Sequence, residues 1–211
     1  MLSASGRSPD RSGIASWRAN SIARQSGSRL SSTAMDVSIQ PERPADHEAV
    51  ADVVRRAFVE DPRVAGMVSS IRRSPRYRSG LALVARAEGR IAGFVMCSGT
   101  DLVSDDGTIR EVLTLAPLAV APEFQGRGIG AALVRAVISE ADRDGEPLVV
   151  LEGSPSYYGR LGFRFAPDLG IHLDLPERAP REAAQAYPLS NYELQVRGRV
   201  AYPPAIAALA G

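Results

Sequence analysis

The sequence predicts an α/β (α+β) fold, a mixed and mostly antiparallel sheet of six to seven strands flanked by helices. Three observations carry that prediction. Short alternating or apolar runs, separated by Gly, Asp and Pro turn signals, recur from Asp36 to Leu151. Two stretches with helical apolar spacing interrupt them, one after Pro44 and one after Gly126. The longest apolar run, Val112 to Val120, stops at Ala121-Pro122, just before glycines at alternate positions, Gly126, Gly128 and Gly130.

Residues 1–34 differ from all that follow. They hold ten Ser, five Arg, a single acidic residue (Asp10) and the only tryptophan, Trp17, with no sustained apolar period. Such a segment cannot bury enough apolar surface to offset ordering, so it reads as a disordered tail. Translation starting at Met35, which would make the leader an artefact, and a transit peptide stay open beside that reading.

From Met35 the elements follow in order. Asp36–Gln40 alternates as a short strand, and Pro44 opens a helix whose Val50, Val53, Val54 and Phe58 keep helical spacing. Asp61–Arg78 is weakly patterned and reads as helix plus loop. Leu81–Ala87 and Arg90–Ser98 read as strands joined at Glu88-Gly89, a hairpin signal. Asp105-Asp106-Gly107 marks a turn before the long strand to Val120. The helix from about Arg127 to Asp144 stops at Gly145, with Pro147 behind it. Leu148–Leu151 is continuously apolar and reads as a central strand. Ser154 and Pro155 suit the N-cap and first position of a short helix bearing Tyr157 and Tyr158. Beyond Gly170 the chain is proline-rich, with Val196–Tyr202 returning as a strand. Three parts result: a tail (1–34), a main domain (35–175) and an extension packed on it (176–211).

Composition narrows the function classes. The formal charge of +1 gives no global field that would favour nucleic acid or membrane. All 25 basic residues are Arg, a bias that coding in a GC-rich bacterial genome explains better than a binding function. The single cysteine, Cys97, sits in the apolar run Phe94–Cys97 and reads as a structural thiol. His47 and His172 lack partners at ligand spacing, so no metal is expected. No apolar stretch reaches the roughly 20 residues needed to span a bilayer, and a cytoplasmic location is expected.

The glycines carry the chemistry. Without a Cβ, backbone there can approach a ligand, and a helix start leaves N–H groups unpaired at the positive end of its dipole. That arrangement suits a phosphate or pyrophosphate. Gln125-Gly126-Arg127-Gly128-Ile129-Gly130, directly behind Leu118-Ala119-Val120, resembles the acetyl-coenzyme A motif of the GCN5-related N-acetyltransferases (GNAT). Tyr158, four residues before Gly162-Phe163, is similar to a second mark of that superfamily. The resemblance runs from about Asp36 to about Phe165.

Several expectations follow from the resemblance. Acetyl-CoA would serve as co-substrate. The backbone of Gln125 through Gly130, with Gly126, Arg127, Gly128 and Ile129 between, would hold the pyrophosphate. Leu118, Ala119 and Val120 would pair with the pantetheine arm in a sheet splayed at this central strand, where Pro117 and Pro122 each lack an N–H. Tyr158 would be the general acid for the departing thiolate, against the plain reading of a packing tyrosine; Tyr157 is its competitor for that role, with plain packing as the other reading. A small-molecule or peptide amine would attack directly in a ternary complex, without a covalent intermediate. Glu111 and Glu152 are candidates for relaying the proton, although a solvated carboxylate is the commoner outcome for either. Asp101, Asp105 and Asp106 sit where a loop bordering the acceptor is expected.

Two rivals remain. Gly126-x-Gly128-x-x-Ala131, with Glu152 about twenty residues on, nearly fits a dinucleotide fingerprint. Four residues separate it from the strand, however, and no alternating strand–helix series precedes it. The other rival is a non-catalytic acyl-CoA-binding module or regulator. The acceptor's identity and a homodimer both stay open.

Overall fold

A computed structural model describes residues 36–177 and 179–209; the tail of residues 1–34 lies outside them. In chain order the elements begin β1 (Val37–Pro41), α1 (His47–Ala57), α2 (Arg63–Arg72), β2 (Tyr77–Ala87), β3 (Arg90–Val103), β4 (Ile109–Val120) and α3 (Ile129–Arg143). They continue β5 (Leu148–Glu152), α4 (Pro155–Tyr158), β6 (Arg164–Phe165), β7 (Ile171–His172), β8 (Ala184–Pro188), β9 (Gly198–Ala201) and α5 (Pro204–Ala207). The sheet runs β1-β2-β3-β4-β5-β8-β6, with β9 joined to β3 and β7. Every pairing is antiparallel except β4–β5 and β7–β9. The expected mixed, mostly antiparallel sheet is therefore present, with more strands than expected because β6 to β9 all come from residues after Gly162.

Local chemistry explains most boundaries. The β2–β3 hairpin turns at Glu88 and Gly89, both at positive φ (53° and 73°), which the right-handed twist of the strands requires of a two-residue turn. β2 begins at Tyr77, earlier than its apolar run, because Tyr77 pairs with Ser98 before a register shift to Ala82. β3 continues past Ser98 to Val103, since its last residues pair with β4 on one edge and β9 on the other. Asp101 is thus a strand residue, not a loop residue.

Strand alternation divides the core into two layers. Leu113, Leu115, Val149 and Leu151 point to the side covered by α1 and α3. There α1 buries Val50, Val53, Val54 and Ala57, and α3 buries Ile129, Leu133, Val134, Val137, Ile138 and Ala141. Val112, Leu148 and Val150 point the other way, into a cluster with Ala166, Ile171, Ala186, Val196 and Val200. The residues after Phe163 cover that second face.

β4 and β5 part early. They are in register only at Leu113–Val149 and Thr114–Val150, while β4 runs on to Val120. Along its opposite edge β5 pairs over its full length with β8, from Leu148–Pro188 to Glu152–Ala184. β4 meanwhile stays on β3, with Val95 opposite Leu118 and Cys97 opposite Leu115. Ala116 and Pro117 therefore share one opposing residue, a bulge that re-phases the strand at the point of divergence.

A buried ion pair fixes α2 against the sheet. Glu42, its side chain fully buried, accepts from Arg72 at 3.1 and 2.6 Å and from the Tyr77 hydroxyl at 2.9 Å. Removing one partner of such a pair leaves the other's charge buried and uncompensated. Glu42→Ala should lower unfolding free energy by about 3 kcal/mol in urea titration; an unchanged midpoint would show that Arg72 finds water instead.

Candidate active site

The glycine turn forms one end of the site. After β4 the chain makes a short helical turn at Pro122–Phe124, and Gln125 returns to extended backbone. Gly126 and Gly128 adopt left-handed conformations (φ 74° and 82°), which a side chain would strain. Gly128 caps α3, and the first bond of the helix runs from the Ala132 N–H to the Gly128 carbonyl at 3.0 Å. The N–H groups of Ile129, Gly130 and Ala131 consequently have no acceptor within the helix. Gln125, Gly126, Arg127 and Gly128 are exposed. The Gln125 side-chain amide folds back and donates to the Val120 carbonyl at 3.0 Å.

A groove lined by Leu118, Val120, Gln125, Gly126, Gly128, Gly130 and Tyr157 leads from that turn along β4. The Ala121 N–H bonds the Ala92 carbonyl at 2.9 Å, which sets the alternation of the antiparallel ladder. Ala119 then faces Phe94 with its backbone groups, and its side chain is buried. The backbone groups of Leu118 and Val120 face the opposite edge, where β5 has departed. Arg127 turns its side chain away, 3.8 Å from Glu88 and stacked over Phe124 at 5.6 Å. Tyr157 closes this groove: a Cβ on Gly130 would lie 2.8 Å from its hydroxyl.

A second, largely apolar cavity opens where β4 and β5 separate. Thr114, Leu115, Pro117, Glu152, Gly153 and Tyr158 line its floor. Phe58, Val64 and Met67 form one wall, and Tyr202, Ile206 and Leu209 another. Tyr158 is wedged in place by edge contacts to Tyr157 (5.0 Å) and Phe163 (5.5 Å). Burial pushes its hydroxyl pKa well above the ordinary value, so it stays protonated and able to donate. Nothing in the sequence pattern marked the wall residues, because they come from two distant segments with no shared spacing.

Other candidates separate from this centre. Glu152 lines the cavity, whereas Glu111 is held in ion pairs by Arg76 and Arg78 near the start of β4. Arg76 also grips Asp101 at 2.8 Å, and Asp106 accepts from the Thr108 N–H at 2.9 Å in the β3–β4 turn. The three aspartates thus gather at the end of β4 opposite the glycine turn, and none lines the cavity. Cys97 is buried, which raises its thiol pKa and keeps it inert. Among the described residues, no group of three or more His, Cys, Asp and Glu is placed to hold a metal ion. No helix among them is long and apolar enough to cross a membrane. Among the described residues, β4–α3–β5 is the one parallel crossover that passes through an α-helix, unlike the repeated units of a dinucleotide fold.

The family model described as an acetyltransferase (GNAT) domain matches residues 38–166. The N-acetyltransferase YhbS of Escherichia coli K12 is 31% identical over 167 residues, which span 78% of this chain and 95% of that protein. The N-acetyltransferase YjhQ of the same strain is 33% identical over 134 residues, 63% of this chain and 72% of the relative. The crystal structure of E. coli YhbS in complex with CoA superposes with a TM-score of 0.73 at 27% identity, covering 85% of this chain and 96% of that one. A GNAT acetyltransferase from Brucella melitensis, solved with acetyl-CoA, shares the fold with a TM-score of 0.66 at 24% identity, covering 81% and 98%.

The tightest backbone position in the site is Gly153, where a Cβ would stand 2.4 Å from the Tyr158 ring. Gly153→Ala should therefore displace that ring and cost about 1–3 kcal/mol in urea unfolding. Stability equal to the parent protein would mean that Tyr158 moves freely.

Proposed function

The chain belongs to the GNAT family of acetyltransferases, and on that premise we propose that it transfers the acetyl group of acetyl-CoA to an amine by direct attack in a ternary complex. The observation that supports this best is the open edge of β4. It runs from the exposed glycine turn at one end to Tyr158 and Glu152 at the other.

Each segment of that edge suits one part of the donor. The N–H groups from Gln125 through Gly130, at the positive end of α3, suit the pyrophosphate. The outward backbone groups of Leu118 and the N–H of Val120, whose carbonyl already accepts from Gln125, suit the amides of the pantetheine arm, which would add to β4 as a strand does, with Ala119 holding β4 to β3. Arg127 contributes its backbone, since its side chain is engaged with Phe124. The arm then delivers the thioester into the cavity.

At that point the unprotonated amine attacks the carbonyl carbon, forming the C–N bond as the C–S bond breaks. Tyr158 gives its hydroxyl proton to the departing sulfur, a role suited to a phenol that burial keeps protonated. The amine's surplus proton leaves to solvent, and reprotonation of Tyr158 closes the cycle. Positioning supplies much of the acceleration, as an amine held against a thioester needs no enzyme nucleophile.

Two variants test this reading. Gly128→Glu places strain and a negative charge at the pyrophosphate position, and should abolish thermal stabilisation by acetyl-CoA. That stabilisation should be about 2.7 kcal/mol for the parent protein at 100 times Kd. Tyr158→Phe should reduce kcat by about 100-fold or more with acetyl-CoA affinity kept. Binding without turnover across an amine panel would instead identify a non-catalytic acyl-CoA-binding module.

A further inference from the structure

Two adjacent tyrosines leave α4 in different directions. Neighbouring residues on a helix point about 100° apart, so Tyr158 enters the cavity while Tyr157 enters the groove beside the glycine turn. Their rings meet edge to face at 5.0 Å and 88°. Tyr157 is carried by the segment after β5, yet its hydroxyl reaches α3 across the gap between the strands. A Cβ on Gly130 would stand 2.8 Å from that hydroxyl, 3.6 Å from the Val120 side chain and 3.7 Å from that of Leu118. Gly126 and Gly128 need to be glycine for their positive φ, whereas Gly130 lies inside α3 without one. Glycine within a helix weakens it relative to alanine, so Gly130 calls for a different reason. Room for the Tyr157 hydroxyl supplies it.

Among the described residues that hydroxyl has no hydrogen-bond partner, although Tyr157 is half-buried. Burial raises its pKa, so it is protonated at neutral pH and has a proton to donate. A tyrosine hydroxyl removed from water ordinarily finds a partner. The N–H groups of Ile129, Gly130 and Ala131, lining the same groove, likewise have no acceptor within the helix. Resting on the acetyltransferase reading above, we propose that Tyr157 is a donor-binding residue, whose hydroxyl donates a hydrogen bond to the acetyl-CoA phosphate nearest the pantetheine arm. Hydrogen-bond donors from both sides of the gap then converge on one anion, and a bond to a charged oxygen is stronger than one between neutral groups. The two tyrosines thereby take separate tasks. Tyr158 serves the departing sulfur, and Tyr157 holds the phosphate end of the donor in register with it.

The test measures donor binding to the full chain by isothermal titration, and turnover by thiol release across an amine panel. Tyr157→Phe keeps the ring and removes the hydroxyl, so it should weaken acetyl-CoA binding by about tenfold with kcat kept. Gly130→Ala should weaken binding by a similar factor in the parent protein, because its methyl displaces the hydroxyl. In a Tyr157→Phe background it should add nothing, since no oxygen is there to displace. The loss in Tyr157→Phe should vanish with S-acetylpantetheine, which lacks the phosphates. Parent-like affinity of Tyr157→Phe, losses that multiply in the double variant, or an equal loss with S-acetylpantetheine overturns the inference and leaves the acetyltransferase reading in place. A lower kcat at unchanged affinity puts Tyr157 in the chemical step and also overturns it. If Gly130→Ala does not fold, the two donors compared on Tyr157→Phe decide alone. Absence of acetyl-CoA binding by the parent protein is a separate result, in which the donor reading fails and this inference falls with it.

Discussion

Everything in this protein that bears on chemistry depends on two neighbouring strands that stop pairing. A buried strand edge with unpaired N–H and C=O groups is costly, so a sheet normally closes such a gap. Here the gap is held open from both sides. β5 is committed over its full length to β8, and β4 is committed to β3. The bulge at Ala116–Pro117 re-phases the strand so that Leu118 and Val120 present their backbone outward. The cleft is therefore a property of the sheet's wiring more than of any one side chain.

That wiring also sets the electrostatics at the two ends. At the outer end the exposed turn Gln125–Gly128 leads into the N–H groups at the start of α3 that have no acceptor within the helix. At the inner end burial among aromatic rings keeps the Tyr158 hydroxyl protonated. The charged networks lie elsewhere. Glu42–Arg72 secures α2, and Arg76, Arg78, Glu111 and Asp101 knit the far end of the β3–β4 hairpin. Their role is to brace the strands, which explains why Glu111, a reasonable proton relay by sequence position, is unsuited to that task.

The parts of the fold legible in the sequence are those set by short-range rules. Glu88-Gly89 turned where a two-residue hairpin requires positive φ, and Gly126 and Gly128 supplied the backbone freedom that their spacing implied. The burial stripes of α1 and α3 were visible for the same reason. β8 was not legible, because Ala184-Gln185-Ala186-Tyr187-Pro188 is a strand by virtue of its partner β5 and not of its own pattern. The two-residue strands β6 and β7 are equally products of context. In the site, motif spacing led to the glycine turn and to Tyr158, whereas Tyr157's place in the groove and the walls from Phe58, Met67, Ile206 and Leu209 arise only from tertiary packing. A wall assembled from remote segments has no local signature to read.

The late position of β8 and α5 has a consequence for biosynthesis. A ribosome delivers β4, α3 and β5 well before Ala184–Pro188 can dock on β5, and the wall at Ile206 and Leu209 comes later still. Until then the edge of β5 away from the cleft is unpaired, so the strand that bounds the cleft is anchored only at Val149 and Val150. The slot is therefore complete only once the residues from Ala184 onward have docked. Activity should emerge last, as a product of long-range closure, in a chain whose slowest contacts join residues as distant as Asp101 and Ala201.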